Sequence, residues 1–215
     1  MTRSFLPPLL CAAALAASAL PSWAGGLESL EAFMRNARSG RADFTQVVTP
    51  PARDGQAVRP RTSTGTFEFQ RPSRFRFDYR KPFEQTLVAD GQTLWMHDPD
   101  LNQVTARSQA QVLGSTPAAI IAAAPDLQAL QRDFDLSPAP DRDGLAWVQA
   151  MPRNKDGQLS RVLVGFQGDQ LAALEILDSF GQRSLIRFER MELNPALPPT
   201  TFQFTPPRGA DVIRQ

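Results

Sequence analysis

The sequence predicts a mainly β fold with short helices: an incomplete (half-open) antiparallel β-barrel of about eleven strands with a helical lid. Three observations lead there. Short segments of apolar/polar alternation succeed one another from residue 42 almost to the end of the chain, which is the period-2 signature of half-buried strands. Most connections between them are tight turns, too short for the crossover that a parallel pair needs. The few helical patches cannot form a core of their own, so their apolar faces must cover the open mouth of a curled sheet.

Residues 1–24 read as a secretory signal, cleaved after Ala24. Arg3 supplies the charged end, Leu9 to Leu20 the apolar run, and Ser22-Trp23-Ala24 the small residues at the cleavage-determining positions. The single Cys, Cys11, lies inside that run, so residues 25–215 form one domain with no disulfide and no thiolate chemistry. No later segment reaches the length of a membrane span. The formal charge is +1 with Arg3 included, and a mature chain with no basic excess excludes nucleic acid as a natural partner.

Leu27, Leu30, Phe33, Met34 and Ala37 recur at helical spacing before Gly40, predicting a short amphipathic helix. Phe44, Gln46 and Val48 then open the strands. Thr49 to Thr64, with three prolines, three arginines and almost no apolar residue, reads as a long exposed hairpin loop. Gly65 to Gln70 and Arg74 to Tyr79 form a hairpin with one aromatic face. The meander continues through Gln85–Ala89, Thr93–His97 and Gln103–Ala106. Ser115-Thr116-Pro117 caps a helix over Ala118 to Ala124, and Asp126 to Asp133 is helical in composition. Strands resume near Leu136, at Leu145–Ala150, Ser160–Phe166, Leu171–Leu177 and Arg183–Glu192, with a last short one over Thr201–Thr205.

Catalytic patterns are missing. His97 is the only histidine, and a triad or metal site would have to be built around it without Cys or a second His. There is no G-x-S-x-G, H-E-x-x-H or phosphate-loop pattern. Asp98/Asp100 and Asp141/Asp143 lack the Gly and distal Glu of a calcium loop. The expectation is a binding protein, not an enzyme, with no metal and no cofactor. The chain has 14 Phe against one Tyr and three Trp, with Phe5 and Trp23 in the leader. Such an inventory fits ordinary core packing, and equally a cavity that holds an apolar ligand.

Several strings, in order over essentially the whole mature chain, resemble one family: Ala42-Asp-Phe-Thr-Gln46, Phe69-Gln-Arg-Pro-Ser73, Leu87-Val-Ala-Asp-Gly91 with Thr93-Leu-Trp95, Gly114-Ser-Thr-Pro117 and Phe202-Gln-Phe-Thr-Pro-Pro207. The family is the periplasmic outer-membrane lipoprotein carriers, LolA. The resemblance implies a monomeric periplasmic chaperone that accepts triacylated lipoproteins from an inner-membrane lipoprotein-releasing ABC transporter and passes them to an outer-membrane acceptor lipoprotein. It implies a lid latch in Arg71, bonded to backbone carbonyls of Met34, Ile121 and Ala122, where five donors in a fixed fork can satisfy several helix-end carbonyls. The acyl-chain cavity it implies would be lined by Phe67, Phe69, Phe75, Phe77, Tyr79, Leu94, Met96, Val148, Val162, Val164 and Phe188. Two competing readings are an acceptor lipoprotein of the same fold, which needs an anchoring cysteine, and a secreted lipid-processing enzyme. Ala118-Ala119, where the family often has a large residue, departs from the pattern.

Overall fold

The computed structural model describes residues 25–52, 57–109, 124–155 and 157–215. The leader and most of the helix expected over residues 118–124 lie outside them. In chain order the elements are α1 (Gly26–Asn36), β1 (Ser39–Thr49), β2 (Arg61–Gln70), β3 (Arg74–Lys81), β4 (Gln85–Ala89), β5 (Thr93–Asp98), β6 (Gln103–Ser108), α2 (Leu127–Asp133), β7 (Phe134–Arg142), β8 (Leu145–Pro152), β9 (Leu159–Gln167), β10 (Gln170–Asp178), β11 (Arg183–Leu193) and β12 (Asp211–Arg214). All strands join one 12-stranded sheet in the order β12-β6-β5-β4-β3-β2-β1-β11-β10-β9-β8-β7. The two end strands do not pair with each other, so the barrel stays open.

The count is twelve strands rather than about eleven, and two details differ from the sequence expectation. Residues 201–205 are not a strand: Pro199 to Phe202 make a 3-10 turn, and the prolines on both sides deny this stretch the donors a ladder needs. The last strand is instead β12, parallel to β6 with Asp211 opposite Gln103. The loop expected over residues 49–64 is also shorter. β1 runs to Thr49 and pairs Val48 with Arg61.

β7 carries Pro138 and Pro140. Proline cannot donate to a ladder, and here both sit on an end strand, where one side of the backbone has no partner.

The seam between β1 and β2 is built from glycine–aromatic pairs. Gly40 lies opposite Phe69, and Phe44 opposite Gly65. A methyl group on Gly40 would collide with the Phe69 ring, and one on Gly65 with the backbone of Asp78 and the edge of Phe44. Each glycine therefore lets a ring lie flat across the neighbouring strand, and the concave face becomes almost wholly aromatic at this seam.

α1 lies across that face against β7–β10. Leu30, Phe33 and Met34 are buried beneath it, and Phe33 packs between Phe69 and Phe166, with both centroid distances 5.9 Å. Glu28 caps the first turn by accepting from the Gly25 amide, and Arg35 sits in the last turn, each charge matched to the helix dipole. α2 begins at Asp126, whose Oδ1 accepts from the Ala129 amide at 2.8 Å. Among the described residues no helix is long and apolar enough to cross a membrane.

Candidate functional site: the concave face and its clasp

The inner wall on the β1–β4 side is a continuous ring cluster. Phe67 stands 4.5 Å from Phe77, 5.8 Å from Phe69 and 5.2 Å from Phe188, while Phe44 meets Phe77 at 5.4 Å and Tyr79 at 5.0 Å. Phe75 joins through Phe77 at 6.2 Å. Val148, Val162, Val164 and Phe166 form the facing wall of the same buried cluster, against which Tyr79, Leu87 and Leu94 pack from its margin. Met96 pairs with Leu87 across β4–β5, so it shares their face, half-buried and outside the packed cluster. Burial pushes the Tyr79 hydroxyl up to about 12, so this ring is neutral and its polar end sits in poor solvent.

The residues expected to line a cavity thus share one concave face, and in this conformation α1 packs on its β7–β10 side. Phe33, Phe44 and Phe166 belong to that face as much as the expected residues do. Phe44 was findable by the same alternation, whereas Phe33 and Phe166 reach the site only through the placement of α1.

His97 is on the other side of the sheet, where its ring stands 5.8 Å from Phe204. Trp95 packs on the same Phe204 at 5.6 Å. On the convex face Glu175 accepts from Arg142 and Arg183 at 2.6 and 2.7 Å.

Arg71 follows β2 at the turn into β3. Its Nε donates to the Ala37 carbonyl at 2.9 Å and its Nη1 to the Ala124 carbonyl at 2.7 Å. The guanidinium lies between the rings of Phe33 and Phe69, 5.3 and 5.6 Å from their centroids. The expected partner Met34 is replaced by Ala37, the residue that ends α1. Carbonyls at and beyond a helix end lack intrahelical donors, and that is where the fork finds them. Ile121 and Ala122 lie outside the described residues; Ala124 is the acceptor on that side. Burial, with Arg38 nearby, lowers the Arg71 pKa to about 10, still well above any physiological pH, so the group is a buried cation held by carbonyls and rings without a carboxylate. Nη2 has no hydrogen-bond partner among the described residues.

Sequence reasoning did not single out Gln109, which braces the same turn. Its side chain is buried, donates from Nε2 to the Ser73 carbonyl at 2.5 Å and accepts from the Gly91 amide at 3.0 Å. A glutamine after a strand carries no signal of this in one sequence.

At the opposite end of the sheet the inner face turns polar. Gln46, Arg61, Ser63, Tyr79, Gln85 and Asp98 line a pocket of about 530 Å³, with Phe83 and Leu101 at its edge. Gln46 also donates to the Ser184 hydroxyl at 2.7 Å. A path along the concave face therefore runs from an apolar interior past Tyr79 to a hydrated mouth.

The family model "Outer membrane lipoprotein carrier protein LolA" matches residues 35–205. The chain belongs to the LolA family. A LolA-family relative from Albidiferax ferrireducens, an outer-membrane lipoprotein carrier protein, is 66% identical over 210 residues, covering 96% of this chain and 97% of the relative. Another from Methylibium petroleiphilum is 51% identical over 203 residues, covering 94% and 96%. Among solved structures, an uncharacterized conserved protein from Thermus thermophilus is similar with a TM-score of 0.52 at 12% identity, covering 88% of this chain and 98% of that one. That likeness concerns the fold alone.

Proposed function

We propose that this LolA-family chain is a periplasmic chaperone that takes the acyl chains of lipoproteins released from the inner membrane and carries them to the outer membrane. On this reading it receives cargo from a lipoprotein-releasing ABC transporter and yields it to an acceptor lipoprotein, without catalysis. The observation that carries the reading is the pairing of a continuous aromatic face with a helix that covers it through few polar ties.

Burial of an acyl methylene is worth about 0.8 kcal/mol, so half of three long chains, on the order of 20 methylenes, would contribute roughly 16 kcal/mol. A carrier that gained all of this would not release its cargo. The closed empty state offsets part of it. Leu30, Phe33 and Met34 of α1 occupy the face, each worth roughly 1.5–3 kcal/mol when fully buried. Arg71 adds two charge-assisted bonds of about 1.5–3 kcal/mol each. Cargo must displace these contacts on entry, and their return favours exit, which keeps affinity in a range where transfer is possible.

The test is release of a triacylated lipoprotein from spheroplasts. Added protein is expected to bring the lipoprotein into the soluble fraction as a stoichiometric complex whose acyl chains are detected by mass spectrometry. Retention of the lipoprotein in the membrane, or release of deacylated protein, would overturn the reading.

A further inference from the structure

All the large apolar side chains that stand exposed among the described residues gather at one end of the sheet. They are Val58 at 41% exposure, Phe83 at 71%, Leu101 at 70%, Met151 at 38% and Phe180 at 72%. The ladder fixes this. Arg61 pairs with Val48, Tyr79 with Gln85, Asp98 with Gln103, Ala150 with Val162, Leu177 with Arg183 and Thr49 with Arg183, so the β1–β2, β3–β4, β5–β6, β8–β9 and β10–β11 connections all emerge together. The turns at the other end, after β2, β4, β7 and β9, expose no such side chain. Single exposed apolar residues scattered over a surface need no explanation, but segregation to one end does.

This end is also the mouth of the concave face. Phe83 and Leu101 border the polar pocket described above. The β10–β11 turn that bears Phe180 lies against the β1–β2 connection, a Cβ at Gly181 falling 3.4 Å from Pro51. Around Phe83 the described parts of the β1–β2 and β3–β4 connections, with the strand ends beside them, carry Arg59, Arg61, Arg80 and Lys81, and none of the four has an ion-pair partner among the described residues. The acidic groups nearby are Glu84, Asp98 and Asp100, and Asp98 is engaged by the Leu101 amide at 3.1 Å.

We propose that this end docks on a lipid bilayer, Phe83 and Leu101 entering the boundary between headgroups and acyl chains while Arg59, Arg61, Arg80 and Lys81 meet anionic headgroups. Val58, Phe83, Leu101 and Phe180 are separate tips on separate connections, with Met151 near the end of β8, and they do not form a groove. Tips of that kind suit a fluid surface that closes around each one, whereas a folded protein partner would need a matching recess for each. Unpaired cations beside apolar tips are the combination that anionic interfaces retain, and the charged part of that attraction falls within a Debye length as salt rises. Docked in this way, the mouth would open onto the membrane and not onto water. That consequence rests on the acyl-chain reading, but the docking itself does not.

The test uses cargo-free protein and lipoprotein-free vesicles, so its outcome is independent of whether acyl chains are carried. Flotation with vesicles containing phosphatidylglycerol and phosphatidylethanolamine is expected to recover the protein, with weaker recovery on phosphatidylcholine alone. Phe83→Asp with Leu101→Asp should lower recovery at least tenfold, and Arg80→Glu with Lys81→Glu should remove its salt dependence. Gln92→Asp at the opposite end should leave recovery unchanged. Both apolar positions are exposed, so circular dichroism is expected to report an intact fold in each variant. Failure of the parent protein to float, equal recovery of the Phe83/Leu101 variant, or recovery only on vesicles that contain membrane proteins would overturn the proposal, the last in favour of a protein partner.

Discussion

The Nε of Arg71 donates to the carbonyl oxygen of Ala37 at 2.9 Å, tying the β2–β3 turn to the end of the helix that covers the concave face. The same guanidinium reaches Ala124 at 2.7 Å. One side chain thus joins the sheet to the end of α1 and to the segment leading into α2, and it does so through carbonyls, whose charge does not change with pH.

Arg71→Leu is therefore expected to leave the sheet folded and to loosen the closed state. Two charge-assisted bonds vanish and two carbonyls lose their donor, a loss on the order of 3–6 kcal/mol to closure. Hydrogen exchange of the α1 amides should accelerate at least tenfold while far-ultraviolet circular dichroism is retained. Onward transfer of cargo should slow, since the empty closed form no longer competes with it. Parent-like exchange and delivery would rule out the clasp.

Phe75→Glu places a carboxylate among Phe69, Phe77 and Ala89, inside the wall of rings. Burying an unpaired charge is costly, so the group will either stay protonated or hold the face open to water. Lipoprotein uptake from inner-membrane vesicles should fall at least tenfold, and Phe75→Leu should recover most of it. Equal uptake by Phe75→Glu and the parent would exclude this position from the cargo path.

Asn194, at the end of β11, takes a left-handed backbone with φ of 57°. Its Oδ1 accepts from the amides of Arg38 and Ser39 at 2.7 and 3.3 Å, and its Nδ2 donates to the Asn36 carbonyl at 3.1 Å. Asn194→Ala removes these bonds and puts a residue without a local hydrogen bond at positive φ. A loss of about 1–3 kcal/mol is expected in urea unfolding. An unchanged midpoint would show that the α1–β1 connection is held by other contacts.

Glu175 supplies a pH dependence. Burial opposes its ionisation, but hydrogen bonds from Arg183 and Arg142 outweigh that and hold the carboxyl below its ordinary 4.5. A carboxyl with a depressed folded-state pKa contributes stability that is present above the unfolded value and is lost as pH falls through the folded one. Glu175→Gln should accordingly destabilise the protein at pH 7, with the gap to the parent closing as pH drops below 4.5. A gap that stays constant from pH 7 down to about 3 would contradict the assigned pairing.

Much of the fold was legible because alternation and tight turns are local signals. The hairpins from Gly65 to Ala106 and from Leu145 to Glu192 needed only periodicity and turn residues. Phe202-Gln-Phe204 alternates just as well, yet forms no strand, because its neighbouring prolines withhold donors and Phe202 is buried without a ladder partner. β12 was invisible because four residues, Asp211 to Arg214, carry too little pattern, and their parallel pairing with β6 is a long-range event. The clasp shows the same limit. Only the family resemblance singles out Arg71 in the sequence, and its acceptor depends on where α1 stops, which sequence places no better than to about 2–4 residues. The shared face of Phe67, Phe69, Phe75 and Phe77 followed from parity, whereas Phe33 and Phe166 meet only after α1 has crossed the sheet.

On the proposed reading acyl chains reside on the aromatic concave face. A photo-crosslinking residue at Phe188, on that face, and another at Arg187, one position along β11 and on the convex side, would test it on protein loaded with a triacylated lipoprotein. Crosslinks to acyl chains are expected from position 188 and none from position 187. Equal labelling from both positions, or labelling from the convex one alone, would contradict the claim.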